Sequence, residues 1–320
     1  DISKYNNIQL AKKISLNSAY GAIGNNWFRY YDLLVAEAIT TSGQLSIRWI
    51  ESAVNDYLND LLKTDNEDYV VASDTDSIYV VFDKLIDKVF KEEQDSSRVV
   101  PFLDTVAREK IEPFINKSYE DLHQYVNSYE QKMQMSREVI ADKGIWTAKK
   151  RYILNVHDNE GVKYKEPQLK IMGIEAVKSS TPEPCREKIK EGLKIIMSGT
   201  EKELNTFIQD FREEFMTLPP EDIAYPRSVN GLSKFSDSNQ LFAKGAPIHV
   251  KGAILYNHLV KKNKLSNKVP YILEGDKIKF INLKQPNIYQ CSSISFITSL
   301  PKELDFHKIV DYDVQFEKSF

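Results

Sequence analysis

Three features of this sequence predict an α+β fold. Two segments near the front, Gln9 to Ile23 and Leu34 to Leu62, carry apolar residues at helical spacing. A pair of runs rich in Val, Ile and Tyr, within Tyr69 to Phe82, flanks a small polar cluster and reads as a β-hairpin. Beyond residue 178, amphipathic helices give way to short strands and loops. The expected architecture is an antiparallel sheet with packed helices, a long helix ahead of it and a mainly helical domain behind it.

The elements follow in chain order. In Gln9 to Ile23, Lys13, Asn17 and Tyr20 share one stripe at i, i+4 and i+7. Leu16, Ala19 and Ile23 form an adjacent stripe that is expected to pack inward. Gly21 and Gly24 mark a helix stop or a close backbone approach. Asn26 to Asp32 is an aromatic-dense loop. Leu34 to Leu62 places Ile39, Ile47, Ile50, Val54, Leu58 and Leu61 near helical register, with Gly43 as a bend or a close-packing point. Val99 to Tyr125 is a third helical stretch, with Pro113 as a kink or break. Lys132 to Ala141 alternates as a strand does. Trp146 to His157 is a second strand, turning at Asp158 to Gly161 into Val162 to Glu166. Composition shifts at Ser179 to Pro182, where Thr181 is expected to cap a helix that Pro182 opens. A domain boundary is therefore expected near Val177. Glu201 to Leu218 is a further helix, ended by Pro219 and Pro220. His249 to Tyr256 and Lys277 to Asn282 read as strands.

The chain has 320 residues, 42% apolar and 28% charged, enough for one large or two ordinary domains. Its net charge of −3 argues against a uniformly basic binder, although local charge decides such matters. Cys185 and Cys291 stand far apart in no metal-ligand spacing, which suits a reducing compartment. No apolar run is long enough for a membrane span.

The chemistry concentrates in Asp74-Thr75-Asp76-Ser77. In extended backbone, Asp74 and Asp76 fall on one face. Two carboxylates side by side repel unless a cation lies between them. Mg²⁺ prefers one or two carboxylates plus substrate phosphates. A lone D-x-D in a turn is commonly just solvated, so the rest of the chain must decide.

Lys13-x-x-x-Asn17-Ser18-x-Tyr20-Gly21, then Asp74-Thr75-Asp76-Ser77, then Lys149-Lys150-Arg151-Tyr152, resemble in order and spacing the family B DNA polymerases, their T-even bacteriophage branch in particular. Asn25-x-x-Phe28-Arg29-Tyr30-Tyr31-Asp32, Leu169 to Gly173 and Ser179 to Pro182 extend the resemblance over essentially the whole chain. It implies the end of the fingers and entry to the palm at 1–33, palm at 34–177 and thumb at 178–320. It implies DNA-templated nucleotidyl transfer with two Mg²⁺ ions held by Asp74 and Asp76, and Glu138 tuning them from behind. Lys13 resembles the lysine that meets the incoming triphosphate, so it counts with the two aspartates as catalytic. Asn17 and Tyr20 are then nucleotide contacts. Gly21 and Thr75 lie against DNA, and Lys149, Lys150, Arg151 and Tyr152 grip the primer. Basic residues near His249, Lys251 and His258 to Lys268 are expected to track duplex phosphates.

The resemblance also has gaps. Nothing before Lys13 matches the family's motif A, which supplies another metal-binding carboxylate. The proofreading exonuclease and the first fingers helix have no counterpart, and the end shows no clear clamp-binding tail. The chain opens on Asp1 rather than Met. The expectation is a carboxy-terminal polymerase subunit or fragment, inactive alone. It would work with an amino-terminal chain bearing motif A and exonuclease, with primer–template DNA, dNTP and a sliding clamp, in the host cytoplasm. The competing reading is a DNA-binding module without catalysis. Its weakness is that binding alone does not need a carboxylate pair. A reverse transcriptase or cyclase palm shares the hairpin but not the helix and the basic strand.

Overall fold

The protein's structure is a computed structural model describing residues 2–91, 95–237 and 240–320. The fold is α+β, with two compact units: Asp1–Asp142 with Val156–Pro167, and Lys143–Asn155 with Gln168–Phe320.

In the first unit, α1 (Ile2–Ile23) is longer than its sequence pattern suggested and buries no residue. The stripe of Leu16, Ala19 and Ile23 does not pack inward: Leu16 is 76% exposed. Helix α2 (Leu33–Leu62) starts where the Asp32 carboxylate accepts the Val35 N–H and stops at Lys63 in the left-handed region. It runs through Gly43, where an added Cβ would meet nothing within 4 Å, so that glycine serves no close packing among the described residues. Ile50, Val54, Leu58 and Leu62 recur every fourth residue and are all buried. Opposite them lie Ile111, Ile115, Tyr119 and Leu122 of the third helical stretch. Each such apolar side chain contributes about 1.5–3 kcal/mol on burial.

The hairpin β1 (Val70–Asp74) and β2 (Ser77–Val80) sits on this core through Tyr69 and Val70. Asn55 of α2 fixes its start. The Asn55 Oδ1 accepts the N–H of Tyr69 at 2.8 Å and of Val70 at 3.0 Å, while its Nδ2 donates to Asp68. After α3 (Asp83–Phe90) comes one continuous helical run: α4 (Ser96–Val106), a π-helical turn (Ala107–Ile111) and α5 (Glu112–Val126). Pro113 does not break it. A proline lacks an N–H and crowds the carbonyl four residues back, and the wider turn just before it makes room.

Strands β3 (Val139–Ala148), β4 (Arg151–Asn159) and β5 (Val162–Met172) pair in that order, and each contributes residues to both units. The alternation over Lys132 to Ala141 mostly precedes a strand rather than forming one. Trp146 to His157 is two strands, because Lys149 and Lys150 make a two-residue turn. Glu160 and Gly161, both with positive φ, make the next one, as the right-handed twist of a hairpin favours.

In the second unit, α6 (Glu183–Ser198) opens after Pro182, which holds the cap position with no side-chain cap. Thr181 is buried rather than capping. A full capping box of Thr200 and Glu203 starts α7 (Glu201–Phe215). The sheet of β6 (Tyr225–Ser228), β7 (Lys277–Asn282) and β8 (Ser293–Phe296) is antiparallel with β7 in the middle. The stretch expected to be a strand at His249 to Tyr256 belongs to α8 (Ile248–Lys262), which packs on β8. Ser293 and Ser295 hydroxyls donate to the Ile248 and His249 carbonyls at 2.7 Å. Helix α9 (Tyr312–Ser319) closes the chain, its Phe316 packed on Phe211 and Phe215. Cys185 and Cys291 are free, buried thiols. No helix among the described residues is long and apolar enough to cross a membrane.

Replacing Asn55 with Ala strips the N–H groups of Tyr69, just before β1, and of Val70 of their acceptor. We expect the variant to lose about 3 kcal/mol of stability in denaturant unfolding of the chain. An unchanged midpoint would mean that Asn55 does not anchor the hairpin.

Candidate functional site

The hairpin tip is tighter than an alternating strand. Asp74 pairs with Ser77, leaving Thr75 and Asp76 as the whole turn. The Asp76 N–H donates to the Asp74 carbonyl at 2.6 Å, and Thr75 between them has φ 57. That is an i to i+2 closure about a β-branched residue in the left-handed region, a strained arrangement. It corrects the period-two argument, since the backbone between the aspartates is not extended. The Thr75 hydroxyl donates to Asp74 Oδ1 at 3.0 Å, so within this chain it orients a carboxylate. The Ser77 hydroxyl donates to the Asp74 carbonyl at 3.1 Å. Asp74 is half-buried and Asp76 exposed. Burial pushes the Tyr119 hydroxyl pKa up, and the nearby Asp76 charge pushes it further.

Among the described residues, no group of three or more His, Cys, Asp or Glu could hold a metal ion. The hairpin offers two hard oxygen donors. They suit Mg²⁺, which keeps waters and binds phosphate oxygens beside one or two carboxylates. They are an incomplete set for two ions.

Glu138 is exposed on the segment leading into β3, and its carbonyl accepts the Glu160 N–H at 2.6 Å. The residue before it, Arg137, makes contacts that the sequence did not signal. The Arg137 guanidinium, 13% exposed, bridges fully buried Asp158 and, at 2.5 Å, Asp104 of α4. Arg108 pairs with Asp104 from one helical turn on, and Glu112 accepts the Arg137 backbone N–H at 2.7 Å. Burial pushes the Asp104 carboxyl up. The hydrogen bonds and charges of Arg137 and Arg108 outweigh it and hold the group below its ordinary range.

On α1, Lys13, Asn17, Tyr20 and Gly21 are all exposed. A side chain at Gly21 would meet nothing within 4 Å among the described residues.

In the second unit, Lys149 and Lys150 are exposed at the β3–β4 turn, with Lys150 at φ 62. They form the turn between β3 and β4 instead of lying within the single strand expected over Trp146 to His157. Tyr152 is 6% exposed with its ring near Trp146, which places it inside rather than on an open surface. Arg151 is half-buried and donates to Glu175 at 2.5 Å. Burial raises the Glu175 carboxyl, but the Lys178 hydrogen bond and the charges of Arg151 and Lys178 bring it below its ordinary range.

The sequence model for DNA polymerase family B matches residues 2–95. The DNA-directed DNA polymerase of Escherichia phage RB69 is 41% identical over 326 residues, 98% of this chain and 36% of the phage protein. That of Enterobacteria phage T4 is 39% identical over 331 residues, with the same coverages. A protein named DNA polymerase beta from an African swine fever virus isolate (Tick/Malawi) is 27% identical over 178 residues. The chain thus spans about a third of the length of the two phage relatives.

The Asp104 pair carries a pH signature. A depressed carboxyl stabilises the fold above its unfolded pKa and loses that contribution as pH falls through the folded value. Unfolding followed below about pH 4 should show this loss, and Asp104→Asn should remove that part of the pH dependence. A variant as acid-sensitive as the parent would exclude Asp104 as its source.

Proposed function

The chain belongs to DNA polymerase family B, and from that premise we propose that it carries part of the active site for template-directed DNA synthesis. Deoxynucleotides would be added to a primer 3′ end. The observation that supports this best is the Asp74–Asp76 turn, a rigid tip bearing two carboxylates.

On this reading Asp74 and Asp76 hold Mg²⁺. Two such ions, when bound there, would supply activation of the primer hydroxyl and neutralisation of the triphosphate charge. Thr75 keeps the Asp74 carboxylate oriented through its hydroxyl. Glu138 adds negative charge close to the ions. Lys13 meets the triphosphate, while Asn17 and Tyr20 contact the nucleotide and Gly21 leaves room for the nascent base pair. Lys149 and Lys150 hold primer phosphates. Arg151 and Tyr152 act behind them, one tied to Glu175 and the other packed inside. The third carboxylate that two ions require comes from a motif A segment outside these 320 residues, with the exonuclease. Residues 1–33 then serve as fingers, 34–177 as palm and 178–320 as thumb. Primer–template DNA, dNTP and a sliding clamp are the partners, and host cytoplasm is the setting.

The purified chain should extend a labelled primer negligibly with Mg²⁺ and dNTP. Adding a polypeptide that bears motif A should restore synthesis, and Asp76→Ala should lower the restored rate by about a hundredfold or more. Robust extension by the chain alone refutes the shared site. Equal extension by Asp76→Ala would leave the chain a DNA-binding module with structural carboxylates.

A further inference from the structure

We infer that Gly173 is a positioning residue for the Lys149–Lys150 turn, a role resting on the proposed grip of that turn on DNA. Gly173 follows β5 with φ 68. A Cβ built on it would lie 2.1 Å from the Lys150 carbonyl oxygen, 3.2 Å from the Lys150 carbonyl carbon and 3.2 Å from Arg151 Cγ. No side chain fits there, because the obstacle is backbone and cannot rotate away. The Lys150 carbonyl therefore rests directly on the Gly173 Cα.

Two residues on, Glu175 accepts from the Arg151 guanidinium at 2.5 Å. One short segment, Gly173 to Glu175, thus supports the turn at two successive residues. Lys150 itself holds φ 62, an uncommon conformation for a lysine that its surroundings must help impose. The support from Gly173 is part of that imposition. The consequence is directional: two exposed ammonium groups are displayed at a fixed place on the second unit. Phosphate contacts of this kind set register on a duplex, so their placement matters as much as their charge.

The test is fluorescence anisotropy of a labelled primer–template duplex titrated with the full chain at several salt concentrations. Lys149→Ala combined with Lys150→Ala should lower the slope of log affinity against log salt by about 1.8, from two lost phosphate contacts. Gly173→Ala should weaken binding roughly tenfold and move the slope the same way. In the lysine-free background it should weaken binding no further, since the two changes act through one contact. Gly275→Ala is the control. It has φ 85 with open space around the added methyl, so it brings backbone strain without collision and should bind normally.

Normal affinity and slope for Gly173→Ala would overturn the inference. So would an equal further loss in the lysine-free background. Normal binding by the lysine pair variant would instead remove the turn from the DNA contacts, and the inference with it. Should circular dichroism find Gly173→Ala unfolded, Glu175→Gln decides. Freeing Arg151 should weaken binding about threefold without adding to the lysine changes, and an additive loss would overturn the inference.

Discussion

Two carboxylates at the tip of one hairpin, Asp74 at the end of β1 and Asp76 in the turn, repel each other, and the first unit is built to withstand that. The Asp76 N–H closes onto the Asp74 carbonyl, and the Thr75 hydroxyl closes onto the Asp74 carboxylate. Neither bond would hold the tip if the strands beneath could shift. They cannot shift easily, because Tyr69 and Val70 are buried against α2 and α5 and their N–H groups end on Asn55. A strained tip is tolerable only when its surroundings over-determine it.

The buried ions extend the same logic. Arg137 ties the segment before β3 to α4 through Asp104 and to β4 through Asp158. Burying three charges is expensive, and it is sustainable only with mutual pairing and further hydrogen bonds. Asp158 also accepts the Gly161 N–H at 2.9 Å, and Glu112 accepts the Arg137 N–H. Glu138, the next residue, thereby inherits a fixed backbone while its own side chain stays exposed.

What was legible in the sequence depended on whether the signal was local. The hairpin was, since strand-forming runs and a polar turn suffice to specify it. Helix α2 was too, because its apolar stripe repeats over several turns. Helix α8 was misread because a short run such as His249 to Tyr256 fits a strand or a helix; its full span, out to Lys262, separates them. Lys149 and Lys150 read as strand in the sequence because nothing in lysine announces a positive φ. The inward face expected on α1 failed because periodicity shows that a helix has an apolar side, not what lies against it. Arg137 was invisible as a bridge, since its partners sit 33 residues before and 21 after it. Gly173 could have been flagged only as a glycine after a strand, a weak sign of close backbone approach.

Thr75 and Lys150 share one peculiarity. Each lies in a two-residue turn, each has positive φ, and neither is glycine. Glycine would adopt either conformation without steric penalty. At position 75 it would forfeit the hydroxyl that orients Asp74; at position 150 it would forfeit a charge. In both turns the side chain is what the strain retains. Strain alone does not prove a role, but it narrows where to look. It points to the acidic turn of one unit and the basic turn of the other, two places where the chain displays charge on or beside backbone held in an uncommon shape.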